Sequence, residues 1–423
     1  MIAAAVGQAS RLPRFMPVPD ERCPRRALAE PAHAGAALML ALGLALALAA
    51  QAPPRRATTA QLEQAAKTAV AVGEAGPARQ ALAAALRRDP NWKEGLWDFG
   101  TLLYEAHDAA GARQAFGRLT ELDPKHGAPW AMLGLCDFEA RDFSMSVTHL
   151  QEGRSLGLSN ANLKDVALYD EAQDLIILGE YPQASHLLKR FALRHRSSPG
   201  IVAAFGLAAL HLPLLPEQLG HILSPRRRRL VQAMGTEMYD LESRNQAGAQ
   251  KVMAGILRTH PHAPYVQYND GLLLLRLGEI PAAEAAFRRE LAIQPNNVPA
   301  RLQLAALYQQ NARYPPALSY ARQALRLAPA NFATHYMVGL ILYRQGQFAA
   351  AAHELERSKA LAPEDSQVRY ALAQVDLKLH RDQAALREEK AFRRLEQLSS
   401  SFRNQGVLPA SVYQPAAPHS GTP

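Results

Sequence analysis

Six prolines constrain this chain more than any other feature. Pro261, Pro295, Pro329 and Pro363 fall 34 residues apart each time, and Pro90 and Pro124 show the same interval upstream. Registering the chain on them aligns further residues. The eighth position of each unit holds Gly100, Gly134, Gly271, Ala305 and Gly339. The twentieth holds Ala78, Ala112, Ser146, Ala249, Ala283, Ala317 and Ala351, and the twenty-fourth holds Leu82, Phe116, Leu150, Met253, Phe287, Ala321 and Leu355. A fixed period in the thirties marks a stacked-repeat architecture.

One unit reads as helix, turn, helix. Its first half is apolar at helical spacing, as in Trp130, Leu133 and Gly134, and a break follows near Asp142, Gly278 or Gly346. A second apolar-periodic run ends at the proline, which cannot continue a helix. Small residues at positions eight and twenty let the two helices approach, and the bulky twenty-fourth residue fills the space above them. A single hairpin cannot cover its own apolar face; stacking does. The units are 59–92, 93–126, 127–160, 161–198, 230–263, 264–297, 298–331, 332–365 and 366–397, the last a degraded copy suited to a cap.

With these motifs in place, the chain resembles the tetratricopeptide repeat (TPR) family, in its bacterial exported form. Trp130 to Phe143 carries the family's W-x-x-L-G start, and Val338, Gly339, Leu342, Phe348, Ala351 and Pro363 match its pattern. The resemblance implies an all-α, right-handed superhelical solenoid of TPR helix-turn-helix repeats. Residues 200–229 depart from the pattern, because Pro213 and Pro216 fall where a second helix should begin. An irregular helical insert is expected over 199–229, dividing an N-terminal TPR array at 59–198 from a C-terminal one at 230–397.

The ends of the chain differ from its middle. Ala34 to Ala50 is uncharged and apolar, Arg22, Arg25 and Arg26 precede it, and Ala47 and Ala49 supply small residues at its exit. That is a signal-peptide pattern, with an N-terminal membrane anchor as the alternative for residues 1–50. Residues 51–58 read as a linker. Residues 398–423, rich in serine and proline, read as a disordered tail. The expected location is therefore exported: periplasmic or secreted, or alternatively anchored in the inner membrane through residues 34–50.

The resemblance also implies a concave surface lined by the first helix of each unit. Residues at its inward positions are Trp97, Tyr104, Phe138, Tyr268, Arg276, Gln309, Gln310, Tyr336, Tyr343, Arg344, Tyr370 and Lys378. Tyrosine offers apolar area with a polar tip, and arginine grips carboxylates at two points. The set suits a protein or peptide ligand with acidic groups; the alternative is padding between neighbouring units. The net charge of +9 permits an acidic partner without selecting one, and no nucleic-acid partner is expected.

Nothing in the sequence points to catalysis or to a cofactor. It contains no HExxH, GxSxG, phosphate-loop or CxxC pattern, and its two cysteines, Cys23 and Cys136, can form neither a disulfide framework nor a cysteine zinc site. His260 and His262 flank Pro261 without a third ligand at metal spacing. The expected function is a non-catalytic scaffold for protein or peptide binding in the cell envelope. The alternative is a structural component of an envelope assembly machine for pilus, secretion or outer-membrane biogenesis.

Overall fold

A computed structural model describes residues 58–404, and side chains through residue 397. The signal or anchor segment 1–50, most of the linker, and residues 405–423 lie outside the described residues. The described chain is all-α and forms two compact units that divide after Leu158. The first unit holds three hairpins: α1 (Thr59–Val72) with α2 (Ala75–Arg88), α3 (Lys93–Glu105) with α4 (Ala109–Leu122), and α5 (Gly127–Glu139) with α6 (Phe143–Leu156).

The second unit opens with α7 (Ala161–Ile177) and α8 (Tyr181–Leu193), followed by the single helix α9 (Pro199–Ala209). A 3-10 turn at Pro216–Gln218 and the short α10 (Leu219–Ile222) lead to α11 (Pro225–Glu242) and α12 (Gln246–Thr259). Four further hairpins follow: α13 (Val266–Arg276) with α14 (Ile280–Ile293), α15 (Val298–Gln310) with α16 (Tyr314–Leu327), α17 (Phe332–Arg344) with α18 (Phe348–Leu361), and α19 (Ser366–Lys378) with α20 (Asp382–Asn404). Among the described residues, no helix is long and apolar enough to cross a membrane.

Local chemistry sets the helix ends. Asp108, Asp142, Asn245, Asn297 and Asp365 each accept a hydrogen bond from a backbone N–H in the first turn of the helix they cap. Most first helices give way to a residue in the left-handed region. Gly278 and Gly346 adopt it freely, but His107, Arg141, Arg244, Ala312 and His380 occupy the same turn.

The volumes expected at positions eight and twenty-four fit each other directly. A Cβ added to Gly100 would lie 2.9 Å from the Phe116 ring, and one on Gly271 would lie 2.6 Å from Phe287. Gly134 meets Leu150, and Gly339 meets Leu355, in the same way. Where position eight is Ala305, position twenty-four shrinks to Ala321, and both are wholly buried. The thiol of Cys136 lies in the core, where burial pushes its pKa up to about 12.

Residues 199–229 are an irregular helical stretch, in which a 3-10 turn and the short α10 follow α9. Helix α9 packs against α8 and, more closely, α11. A Cβ on Gly206 would lie 1.9 Å from the Val231 carbonyl oxygen, and one on Gly235 would lie 1.8 Å from that of Val202. The two backbones meet only because both positions are glycine. Asn269 of α13 also donates a 2.8 Å hydrogen bond to the carbonyl of Ala209, closing the end of α9. Helix α11 starts at Pro225, five residues ahead of the expected unit at 230, because Ser224 caps it and Pro225 fits the first turn. At the other end, α20 continues to Asn404, so 398–404 prolong a helix where a disordered tail was expected. Leu395, Leu398 and Phe402 continue its helical spacing in sequence.

Candidate protein-binding face and charged cleft

First helices of successive hairpins touch one another, α15 with α17 and α17 with α19, and no pair of second helices meets as closely. The first-helix side of the second unit is therefore its tighter, inner layer. The twelve residues expected on such a face divide into three groups.

Some pack within or between hairpins. The Trp97 ring meets Phe116 edge-on at 5.6 Å, and Phe138 meets Phe143 at 6.1 Å. Tyr104 is half-buried. Tyr268 lies against Phe287 and Tyr265, with its hydroxyl bonded to Gln303; burial pushes its pKa up to about 12. The Trp97, Phe138 and Tyr268 rings each lie against an aromatic side chain of their own hairpin or of the adjoining turn.

Arg276 forms a second group alone. Its guanidinium bonds the carboxylate of Glu242, which lies one 34-residue period earlier at the same position of the preceding unit. Lys189 of α8 reaches the other oxygen of that carboxylate at 2.8 Å. Burial would raise the Glu242 pKa, and the hydrogen bonds from Arg276 and Lys189 outweigh it, holding the carboxyl below its ordinary value. These three side chains line a cleft of about 400 Å3 with Leu193, Leu241, Arg244 and Gln246.

The third group stays open. Arg344, Lys378 and Gln310 are exposed, and Gln309, Tyr336 and Tyr343 are half-buried. Tyr343 rests on Phe348 at 5.8 Å, and Tyr370, 52% exposed, rests on Phe392 at 5.4 Å. Burial pushes the Tyr336 hydroxyl up to about 12. Neither Arg344 nor Lys378 has a carboxylate partner among the described residues. Leu377, 51% exposed, adds apolar area beside Lys378.

The basic run 226–229 that opens α11 and the histidines flanking Pro261 make local contacts. Arg226 donates to the Thr259 carbonyl at the end of α12, and Arg228 donates to that of Gly220. Thr259 bonds the His260 ring, and no group of three or more His, Cys, Asp or Glu side chains is placed to hold a metal among the described residues. Sequence reasoning missed Lys189, Glu242, Arg244 and Glu237. Glu242 and Arg276 were findable as opposite charges one period apart. Glu237 was findable as an acid at position eight, where other units carry glycine or alanine. It is fully buried, and neither carboxyl oxygen has a hydrogen-bond partner.

Comparison with known proteins places these repeats in context. Residues 239–298 match the tetratricopeptide repeat model, and 310–388 match the model of anaphase-promoting complex, cyclosome, subunit 3. The Arabidopsis thaliana protein CTR9 homolog is 33% identical over 121 residues, which are 28% of this chain; the match spans only 11% of that relative's length. Similar solved structures include MamA 41-end from Desulfovibrio magneticus RS-1, at 20% identity and a TM-score of 0.36, covering 39% of this chain and 93% of that one. The APC/C heterotetramer Cut9–Hcn1 aligns at 14% identity and a TM-score of 0.34, covering 86% of each chain. Residues 239–298 are thus similar to tetratricopeptide repeats, and the stacked hairpins have the all-α solenoid fold of such repeats.

Proposed function

We propose that this chain is a non-catalytic scaffold holding an acidic protein or peptide on the first-helix face of its second unit, in the bacterial cell envelope. One observation carries the choice of face. Arg344 and Lys378 occupy the same position in consecutive hairpins, both exposed and without a carboxylate partner among the described residues, whereas Arg276 at that position is neutralised by Glu242. Tyr343, Tyr370 and Leu377 border the two cations with rings and apolar surface that gain from burial. An acidic segment lying along the stack meets one cation on each of the last two hairpins. The envelope location rests on the basic flank and apolar run ending at Ala50, which also supplies a tether if it is retained.

The test is the combined variant Tyr343→Ala, Arg344→Glu, Lys378→Glu. Partners recovered from an envelope fraction with the unsubstituted protein should be lost, at least tenfold, while helical content and Tm stay unchanged. Undiminished recovery would remove this face from the function. It would favour a role in an envelope assembly machine in which other surfaces make the contacts.

A further inference from the structure

Three cations reach the cleft beside α11 from three segments. Lys189 comes from α8, Arg244 from the turn between α11 and α12, and Arg276 from the end of α13. They face one carboxylate, Glu242, an excess of two positive charges. Nearby acids do not cancel it. Asp270 pairs with Arg289 at 3.5 Å, and Asp240, whose Oδ2 lies beside Gly248, does not line the cleft. Glu237, five residues back along α11, is held uncharged at neutral pH, because burial pushes its pKa up to about 8.

Glu242 organises the cleft. Buried at 7% exposure, it bonds Lys189 and Arg276 together and so fixes both heads. Each keeps further N–H donors, since an ammonium carries three and a guanidinium five. Arg244 has no carboxylate partner among the described residues. Gln246 on the cleft wall is the first residue of α12, whose initial N–H groups add positive potential. Leu193 and Leu241 supply an apolar flank.

We propose that this cleft binds a compact dianionic oxyanion, inorganic phosphate or a phosphate monoester, either free or carried on a partner's side chain. Two excess charges match a dianion, and guanidinium forks match its oxygen geometry. The site stands apart from the peptide reading, because Tyr343, Arg344 and Lys378 do not line it.

The full chain is titrated calorimetrically with inorganic phosphate at constant ionic strength, with chloride as the balancing anion. A short phosphoserine peptide and its unphosphorylated form are titrated separately. Saturable binding of phosphate or of the phosphopeptide is expected, with none of the unphosphorylated form. Arg244→Gly should weaken that binding at least tenfold and still fold, because glycine accepts the left-handed backbone (φ 68°) at this turn. Arg326→Ala, at an exposed arginine that lines neither the cleft nor the peptide-binding face, should bind as the unsubstituted protein does. Tighter binding of the phosphopeptide than of phosphate assigns the anion to a partner; the reverse assigns it to a free ion. The proposal is overturned if neither probe saturates, if the unphosphorylated peptide binds equally well, or if Arg244→Gly leaves both affinities unchanged.

Discussion

Glu237 shows how one residue can oppose the pattern around it. Its position holds Gly100, Gly134, Gly271 and Gly339 in other hairpins, yet here a carboxyl is sealed in the seam without a partner. Burial is the largest cause of its raised pKa, and Arg276 only partly offsets it. The folded state keeps its proton up to about pH 8, while the unfolded chain releases it near the ordinary value of 4.5. Stability therefore falls as pH rises from about 4.5 toward 8, then levels off. Each pH unit in that window costs about 1.4 kcal/mol at most. Glu237→Gln should flatten this region of the profile and unfold at higher urea than the unsubstituted protein at pH 8. Equal urea midpoints at pH 8 would show that the carboxyl is accommodated in another way. Ala312 poses a smaller residue-scale problem, because its φ of 55° suits glycine. Ala312→Gly should gain roughly 0.5 kcal/mol, the left-handed cost relieved less the added backbone entropy, read as a small rise in Tm.

Between elements, the decisive contact is α9 against α11. The backbones approach so closely at Gly206 and Gly235 that any Cβ meets a carbonyl oxygen. Gly235→Ala must push the helices apart and should cost about 3 kcal/mol, the upper end for overpacking. Gly339→Ala should cost less, because it meets the Leu355 side chain first. Urea midpoints of the two variants rank them; a Gly235→Ala protein as stable as Gly339→Ala would contradict the packing. The same region carries a ring stack. His211 lies between Tyr181 at 4.3 Å and Tyr265 at 3.9 Å, joining the turn after α9 to α8 and to the residue before α13. Burial lowers the His211 pKa to about 4. The fold thus prefers the neutral ring, and stability should drop as pH falls from about 6.5 to 4. His211→Phe, which keeps an aromatic ring without a proton to gain, should remove that loss from an acid melting series.

At the scale of the whole molecule, each compact unit has its own core, and their boundary falls after Leu158. All three tryptophans, Trp92, Trp97 and Trp130, belong to the first unit, so their fluorescence reports that unit alone. Gly235→Ala should therefore shift the helical circular-dichroism transition toward lower urea and leave the tryptophan transition in place. A common shift of both signals would show one cooperative stack, in which each hairpin's stability depends on all its neighbours.

The sequence by itself determined the hairpins. A 34-residue period, small residues at positions eight and twenty and a bulky one at twenty-four suffice, because these contacts are made within one unit and recur at fixed spacing. The family resemblance, rather than the period itself, put Tyr343, Arg344, Tyr370 and Lys378 forward as inward-facing residues of two successive first helices. Only the tertiary structure decided which of those side chains remain free. Arg276 and Arg344 are indistinguishable by register, yet one is paired with Glu242 and the other has no carboxylate partner among the described residues, a difference fixed by which carboxylate the preceding hairpin presents. The close meeting of α9 with α11 and the charged cleft beside it were likewise hidden. Helix α9 lies outside the repeat register, and the one-period spacing of Glu242 and Arg276 does not reveal that Lys189 of α8 joins them.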